Sequence, residues 1–352
     1  MKLYGQDRTR REIEERTGRL SQVAGIDKFE YRDGPEDGVC VLQVRTGGGL
    51  QYQVTPSRGM DIGLAEFLGT PLAWRSMAGT PHPAYYDARA AEWLRTAAGG
   101  LLMTCGLTQV GWPGTVESSG EGLHGRAHHL PASNVGVREE WEGDRLFLRV
   151  EGEIRQARLF GENISLRREI VSEAGTSKLQ MIDRLRNNGF SPAPLMILYH
   201  FNFGFPLITE SVKLDFPSQT VQPRDENAPK KGFDQWRAPD PEFQEHVYYH
   251  YGLKTKETPT GPVAEVGIEQ KDFPYGAGGA VKPVRLALRW NTATLPHFIQ
   301  WKMCGARAHV LGIEPANCLV TGQDEERERG TLRYLEPGEE ITNRLEIEVT
   351  EI

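Results

Sequence analysis

Three short segments set titratable residues into otherwise apolar runs, and chemistry is expected there. In Leu195-Met-Ile-Leu-Tyr-His-Phe-Asn-Phe-Gly204, a histidine interrupts an aromatic, aliphatic stretch. An extended chain alternates its side chains, so His200 shares a face with Leu198 and Asn202, opposite Tyr199, Phe201 and Phe203. A buried imidazole is costly without a partner. Taken alone, a hydrogen-bonded core histidine accounts for it well. In Ala308-His-Val-Leu-Gly-Ile-Glu-Pro-Ala-Asn317, Glu314 ends an apolar run, and Pro315 is expected to stop the ladder. A partly desolvated carboxyl at a sheet mouth has a raised pKa, which suits a general base. A strand-end glutamate in solvent is the plain alternative.

The third segment is Glu121-Gly-Leu-His-Gly-Arg-Ala-His-His129. His124 lies between glycines, which let the backbone approach a ligand closely. Arg126, His128 and His129 crowd the same loop. Their spacing offers a set of metal ligands but matches no strict zinc pattern. Earlier, Pro56-Ser-Arg-Gly-Met-Asp61 places Arg58 beside a glycine, where its fork suits a hydroxyl pair or an anion. A surface arginine in a turn explains it as readily. Trp74 and Trp301 are candidates for the apolar face of a ligand, or for core.

The elements that must position these residues read as strands. Arg344-Leu-Glu-Ile-Glu-Val349 alternates charge with apolar bulk, and so do Arg145–Val150 and Leu179–Arg186. Further strands are expected at Val39–Val44, Leu50–Val54, Ile164–Val171, Pro194–Phe203, Val263–Glu269, Val284–Trp290, Phe298–Met303 and Ala308–Ile313. Residues 62–75 read as a hairpin. Helical periodicity is confined to residues 7–16 and Tyr86–Ala98. Frequent Gly (39) and Pro (22) punctuate the runs at short intervals. The expected fold is all-β, a large antiparallel sandwich with few short helices. An N-terminal helical arm over 1–35 is expected to precede a single sandwich domain over 36–352. The polar stretch from Pro223 to Glu245 reads as a long excursion of the kind that often carries function.

Bulk properties narrow the function. A chain of 352 residues can build its core without disulfides or metal clips. The net charge of −7 provides no basic footprint for nucleic acid or an anionic membrane. The four cysteines show no CxxC pair, and no apolar run is long enough for a leader or a membrane span. A cytoplasmic location is expected.

Taken in order, the segments resemble the aldose 1-epimerase (galactose mutarotase-like) superfamily, and within it an uncharacterised branch described only as a domain of unknown function. The resemblance runs from roughly residue 35 to the end. It is carried by Leu123-His124-Gly125, by His200 with Asn202, by Glu314-Pro315 with Asn317, and by Leu335-Glu-Pro-Gly-Glu339 before the closing strand. Two features depart from the family pattern. Tyr199 stands where an asparagine usually precedes the histidine, and the family's substrate-contacting aspartate has only Asp225 as a counterpart.

The resemblance implies a galactose mutarotase-like supersandwich and interconversion of sugar anomers, with Glu314 as base and His200 as acid. It implies that His124, Arg58, Asn202, Arg126, Trp301 and Asp225 contact the sugar, with no cofactor and no metal. The expected partner is a small sugar, and a homo-oligomer is compatible with the sequence. Two alternatives stand beside it. One is a metal-dependent ketose or uronate isomerase or epimerase using His124, His128, His129 and a carboxylate. The other is a sugar-binding module without activity.

Overall fold

Period-two alternation dominates the sequence because the chain is built from two large antiparallel sheets that share one buried layer. The structure, a computed structural model, describes residues 1–113, 121–276 and 279–352. Among these, one sheet has twelve strands and the other nine. Leu146, Leu148 and Val150, Leu179, Met181 and Leu185, and Leu345, Ile347 and Val349 line the inner face of the nine-stranded sheet. They pack in one cluster with Leu195, Ile197, Tyr199, Phe201 and Phe203 of the twelve-stranded sheet. Burying each such side chain contributes about 1.5–3 kcal/mol. A charge also lies in this layer. Arg168, fully buried, forks onto Asp183 and reaches Asp61 at 2.9 Å, which compensates its desolvation.

The strands expected from alternation all form, several of them longer than expected, such as Gly261–Pro274 and Ala193–Gly204. Residues 62–75 do form a hairpin, Asp61–Phe67 with the short Thr70–Pro71. Three local expectations change. α-Helix in the N-terminal segment is limited to Arg10–Glu14, fixed by a capping box between Thr9 and Glu12. The stretch around Tyr86–Ala98 forms no α-helix. It makes single 3₁₀ turns at Pro83–Tyr85 and Glu92–Arg95, and of the second turn only Trp93 is buried. Pro315 does not end its strand, since His309–Ala316 continues to pair with both neighbours at Ala316. The strand Gly25–Glu30 joins the edge of the twelve-stranded sheet. No helix among the described residues is long and apolar enough to cross a membrane.

The twelve-stranded sheet has a second packed face, away from the shared layer. Met103, Cys105, Met196, Leu198, Ile299 and Ala316 form it, and loop residues Trp93, Leu123 and Val320 cover it. Alternation sends His200 and Glu314 to this face, because their neighbours Phe201 and Ile313 belong to the inner one. The pairings Leu198↔Ala316 and Phe201↔Ile313 set His200 directly across from Glu314. On the outer flanks Glu314 faces Ile299 and His200 faces Met103. Four strands therefore present Ile299, Glu314, His200 and Met103 in a row.

Candidate active site

At the middle of that row, His200 Nε2 lies 3.2 Å from Glu314 Oε1. Both side chains are buried, Glu314 to within 3% and His200 to within 7%. Burial disfavours either charge. It pushes the imidazole down to about 4, and it pushes the Glu314 carboxyl well above the usual carboxylate range. The negative charge of Glu245 adds to the rise at Glu314, and the Arg224 guanidinium opposes it.

Gly312 makes the close pairing feasible. A methyl group there would come within 2.8 Å of Glu314 Oε1 and 3.3 Å of His200 Cε1.

The pair opens into a cavity of about 240 Å³. Its walls are aromatic and meet on His200. Trp301 stands edge-on to the imidazole at 5.4 Å, and Trp74 stands edge-on to Trp301 at 6.3 Å. On the other side the His124 ring lies 6.2 Å from His200, with Trp93 5.0 Å beyond it. His124 holds a left-handed backbone conformation (φ 56°). Its carbonyl accepts from Gly106 N at 2.9 Å and its amide donates to the Gly111 carbonyl at 3.0 Å. Such a conformation in a non-glycine residue persists only when its surroundings hold it. Burial pushes the His124 imidazole down to about 3, with His200 and Arg224 adding to the effect.

Of the residues singled out from sequence, the structure gathers His200, Glu314, His124, Trp301 and Trp74 around this cavity. Four others do not line it. Arg58 is buried and donates to the carbonyls of Pro81 and Thr96, so its fork is occupied by main chain. Asn202 donates to the carbonyls of Gly100 and His200, which ties its strand to the neighbouring loop. Arg126 reaches Glu121 at 3.2 Å. Asp225 accepts from Arg224 Nε at 2.8 Å.

His128 and His129 sit in a 3₁₀ turn under the site rather than in it. His128 Nδ1 meets Asp61 at 2.7 Å, and His129 stacks on Tyr86 and meets the Thr96 hydroxyl at 2.9 Å. Among the described residues no group of three or more His, Cys, Asp or Glu side chains is disposed to hold a metal ion.

Trp93, Arg224 and Glu245 also line the cavity and are among its residues that the sequence does not single out. Arg224 Nη2 donates to Glu245 Oε1 at 3.1 Å, and Trp301 Nε1 donates to Glu245 Oε2 at 3.0 Å. For Arg224 and Glu245 the signal is the long excursion from 223 to 245, whose ends they mark. Its two ends come together because Thr220–Pro223 pairs with His246–Tyr251, and Arg224 N donates to the Val247 carbonyl at 2.8 Å. A larger cavity of about 600 Å³, bordered by Phe160, Phe190 and Tyr334, lies elsewhere and includes neither His200 nor Glu314.

Solved structures with this fold are numerous. A candidate aldose 1-epimerase from Klebsiella pneumoniae subsp. pneumoniae MGH 78578 superposes with a TM-score of 0.81 at 23% identity, over 92% of this chain and 83% of that one. A galactose mutarotase-like protein from Clostridium acetobutylicum gives 0.61 at 11% identity, over 94% and 100% of the two chains. Galactose 1-epimerase from Lactobacillus acidophilus NCFM gives 0.59 at 12%, over 93% and 99%. At these identities the likeness establishes the galactose mutarotase-like fold. A search of the curated proteins returns no match. The profile of the family described as Domain of unknown function (DUF4432) matches residues 36–349, so the chain belongs to that family.

Proposed function

We propose that the protein is a sugar isomerase of the aldose 1-epimerase type, acting through Glu314 and His200. The observation that carries this reading is the 3.2 Å contact between their side chains on the floor of an aromatic-walled cavity. The two oxygens that must lose and gain a proton, O1 and the ring oxygen O5, are both bonded to the anomeric carbon. A base and an acid set side by side match that demand.

Glu314 takes the proton of the O1 hydroxyl while His200 gives one to O5. The C1–O5 bond breaks and C1=O1 forms. Rotation about C1–C2 and closure with the protons returned yield the other anomer. Trp301 and Trp74 offer faces to the sugar's C–H surface, and His124 offers a hydrogen bond to a hydroxyl.

Anomer exchange measured by NMR on a panel of aldoses, with the spontaneous rate subtracted, tests the proposal. Exchange above background that disappears in Glu314→Gln supports it. No excess exchange with any aldose would leave the reading of a sugar-binding module without activity.

A further inference from the structure

The acid–base reading also fixes the direction in which a pyranose lies across the sheet, and this inference rests on it. With O1 at Glu314 and O5 at His200, C5 is the ring atom beyond O5. C5 and its substituent then point from His200 toward the next strand, about 4.8 Å away. The residue that this strand presents, paired with His200, is Met103. Around it the cavity wall is apolar, made by Leu123, Trp93 and Val320.

The charged pair Arg224–Glu245 lies on the opposite flank. Glu245 precedes the strand that pairs with Trp301, beyond Glu314 from His200. The cations expected from sequence to contact the sugar are engaged elsewhere, Arg126 with Glu121 and Arg58 with main-chain carbonyls. His124 is the polar ring on this flank. Its Nδ1 accepts from Gly111 N at 3.4 Å, which leaves one N–H for one ring hydroxyl.

We propose that the site takes a neutral pyranose with a methyl group on C5, a 6-deoxyhexose, in preference to the parent hexose, a uronate or a sugar phosphate. A hydroxyl on C6 would be desolvated against Met103 and Trp93, and a carboxylate or phosphate would find, among the described residues of the cavity, only the Arg224 guanidinium, which is already paired with Asp225 and Glu245.

The test is anomer exchange by the wild-type protein on matched sugars: D-galactose against 6-deoxy-D-galactose, and D-glucose against 6-deoxy-D-glucose. D-galacturonate and D-galactose 6-phosphate are the acidic probes. The expected result is a kcat/KM about 10- to 100-fold higher for the 6-deoxy member of at least one pair, with exchange of the acidic sugars undetectable. Parent hexoses that equal or exceed their 6-deoxy partners in both pairs would overturn the inference. Acidic sugars exchanged at comparable rates would do the same. Either result leaves the acid–base reading standing, since sugar is still turned over. Absence of exchange with every sugar overturns both. Met103→Gln places an amide beside C5 and is expected to narrow the 6-deoxy preference several-fold. A folded variant with the preference unchanged would show that C5 does not lie there.

Discussion

Gly312→Ala tests the proposed catalytic pair without replacing either member. Gly312 has no left-handed backbone that would disfavour alanine, so the effect of the new methyl group is steric. That methyl would sit 2.8 Å from both Glu314 Oε1 and the Trp301 Cβ, and 3.3 Å from His200 Cε1. Ordinary contact begins near 3.4 Å, leaving a shortfall of 3.4 − 2.8 = 0.6 Å at the carboxylate. Glu314 is enclosed, so the strain passes to the carboxyl, the indole and the imidazole together. Misplacing a catalytic group by about 1 Å can lower the rate about 10²-fold, so a fall of about 10- to 100-fold in kcat is expected. Overpacking of this kind destabilises by about 1–3 kcal/mol, which a sandwich of this size survives. The assay pairs anomer exchange with a urea melt, and the loss should fall on kcat rather than KM. A folded Gly312→Ala protein with wild-type kcat would refute the proposed role of the His200–Glu314 contact.

Glu314→Gln keeps the shape of the side chain but cannot accept a proton, so kcat should drop by about 10²–10⁴-fold with binding largely kept; full activity would mean another base. Glu245 raises the proton affinity of Glu314 and Arg224 lowers it. The pH–rate bell should therefore move to lower pH in Glu245→Gln and to higher pH in Arg224→Met, and shifts in the same direction would refute the assignment. Arg58→Met should lower stability by a few kcal/mol in a denaturant melt, because two buried carbonyls lose their donor, while KM for sugar stays unchanged. His124, His128 and His200 are pushed from 6.5 to about 3, 4 and 4. The unfolded chain then binds more protons below pH 6.5, and stability should decline as pH falls from about 6.5 toward 4, by on the order of a few kcal/mol per site. Glu314 and Glu121, whose carboxyls burial raises, act in the opposite sense but are two groups against three. A thermal midpoint that stays flat between pH 7 and 5 would refute this.

What the sequence revealed follows from how local each cause was. Strand alternation depends on neighbours two apart, so the sandwich and the faces of His200 and Glu314 were legible from short windows. Their meeting across 114 positions was expected from the shared habit of interrupting apolar strands and from the resemblance, and the register supplies it. Arg58 reads as a turn arginine because its partners, the carbonyls of Pro81 and Thr96, return 23 and 38 residues later. Asn202 has the right alternation for the cavity face, yet its short amide folds onto Gly100 O before reaching it. Residues 86–98 carry a helical stripe with no partner for most of it. Trp93 and Ala97 are claimed by the second hydrophobic layer, with Tyr86 packed against it, and the backbone follows those anchors rather than a helical stripe. Arg224 and Glu245 were beyond reach of local reasoning, since only the pairing of two distant strands makes neighbours of the two ends of one excursion.

The resting protonation of the pair bears on how the proposed reaction starts. Burial favours neutral His200 and protonated Glu314, whereas the reaction needs a carboxylate and an imidazolium. The two states hold the same single proton, so passing it across the 3.2 Å contact makes the pair competent without exchange with solvent. The Arg224 guanidinium lowers the energy of the charged state, and its link to Glu245 limits that help. A sugar bound over the pair would add a hydroxyl against the carboxylate and a ring oxygen against the imidazolium. These hydrogen bonds form to the charged partners, where such bonds are strongest. In the proposed reaction, burial that is unfavourable in the free protein becomes selectivity for the reacting arrangement, because charge separation is supported only when O1 and O5 are both in place.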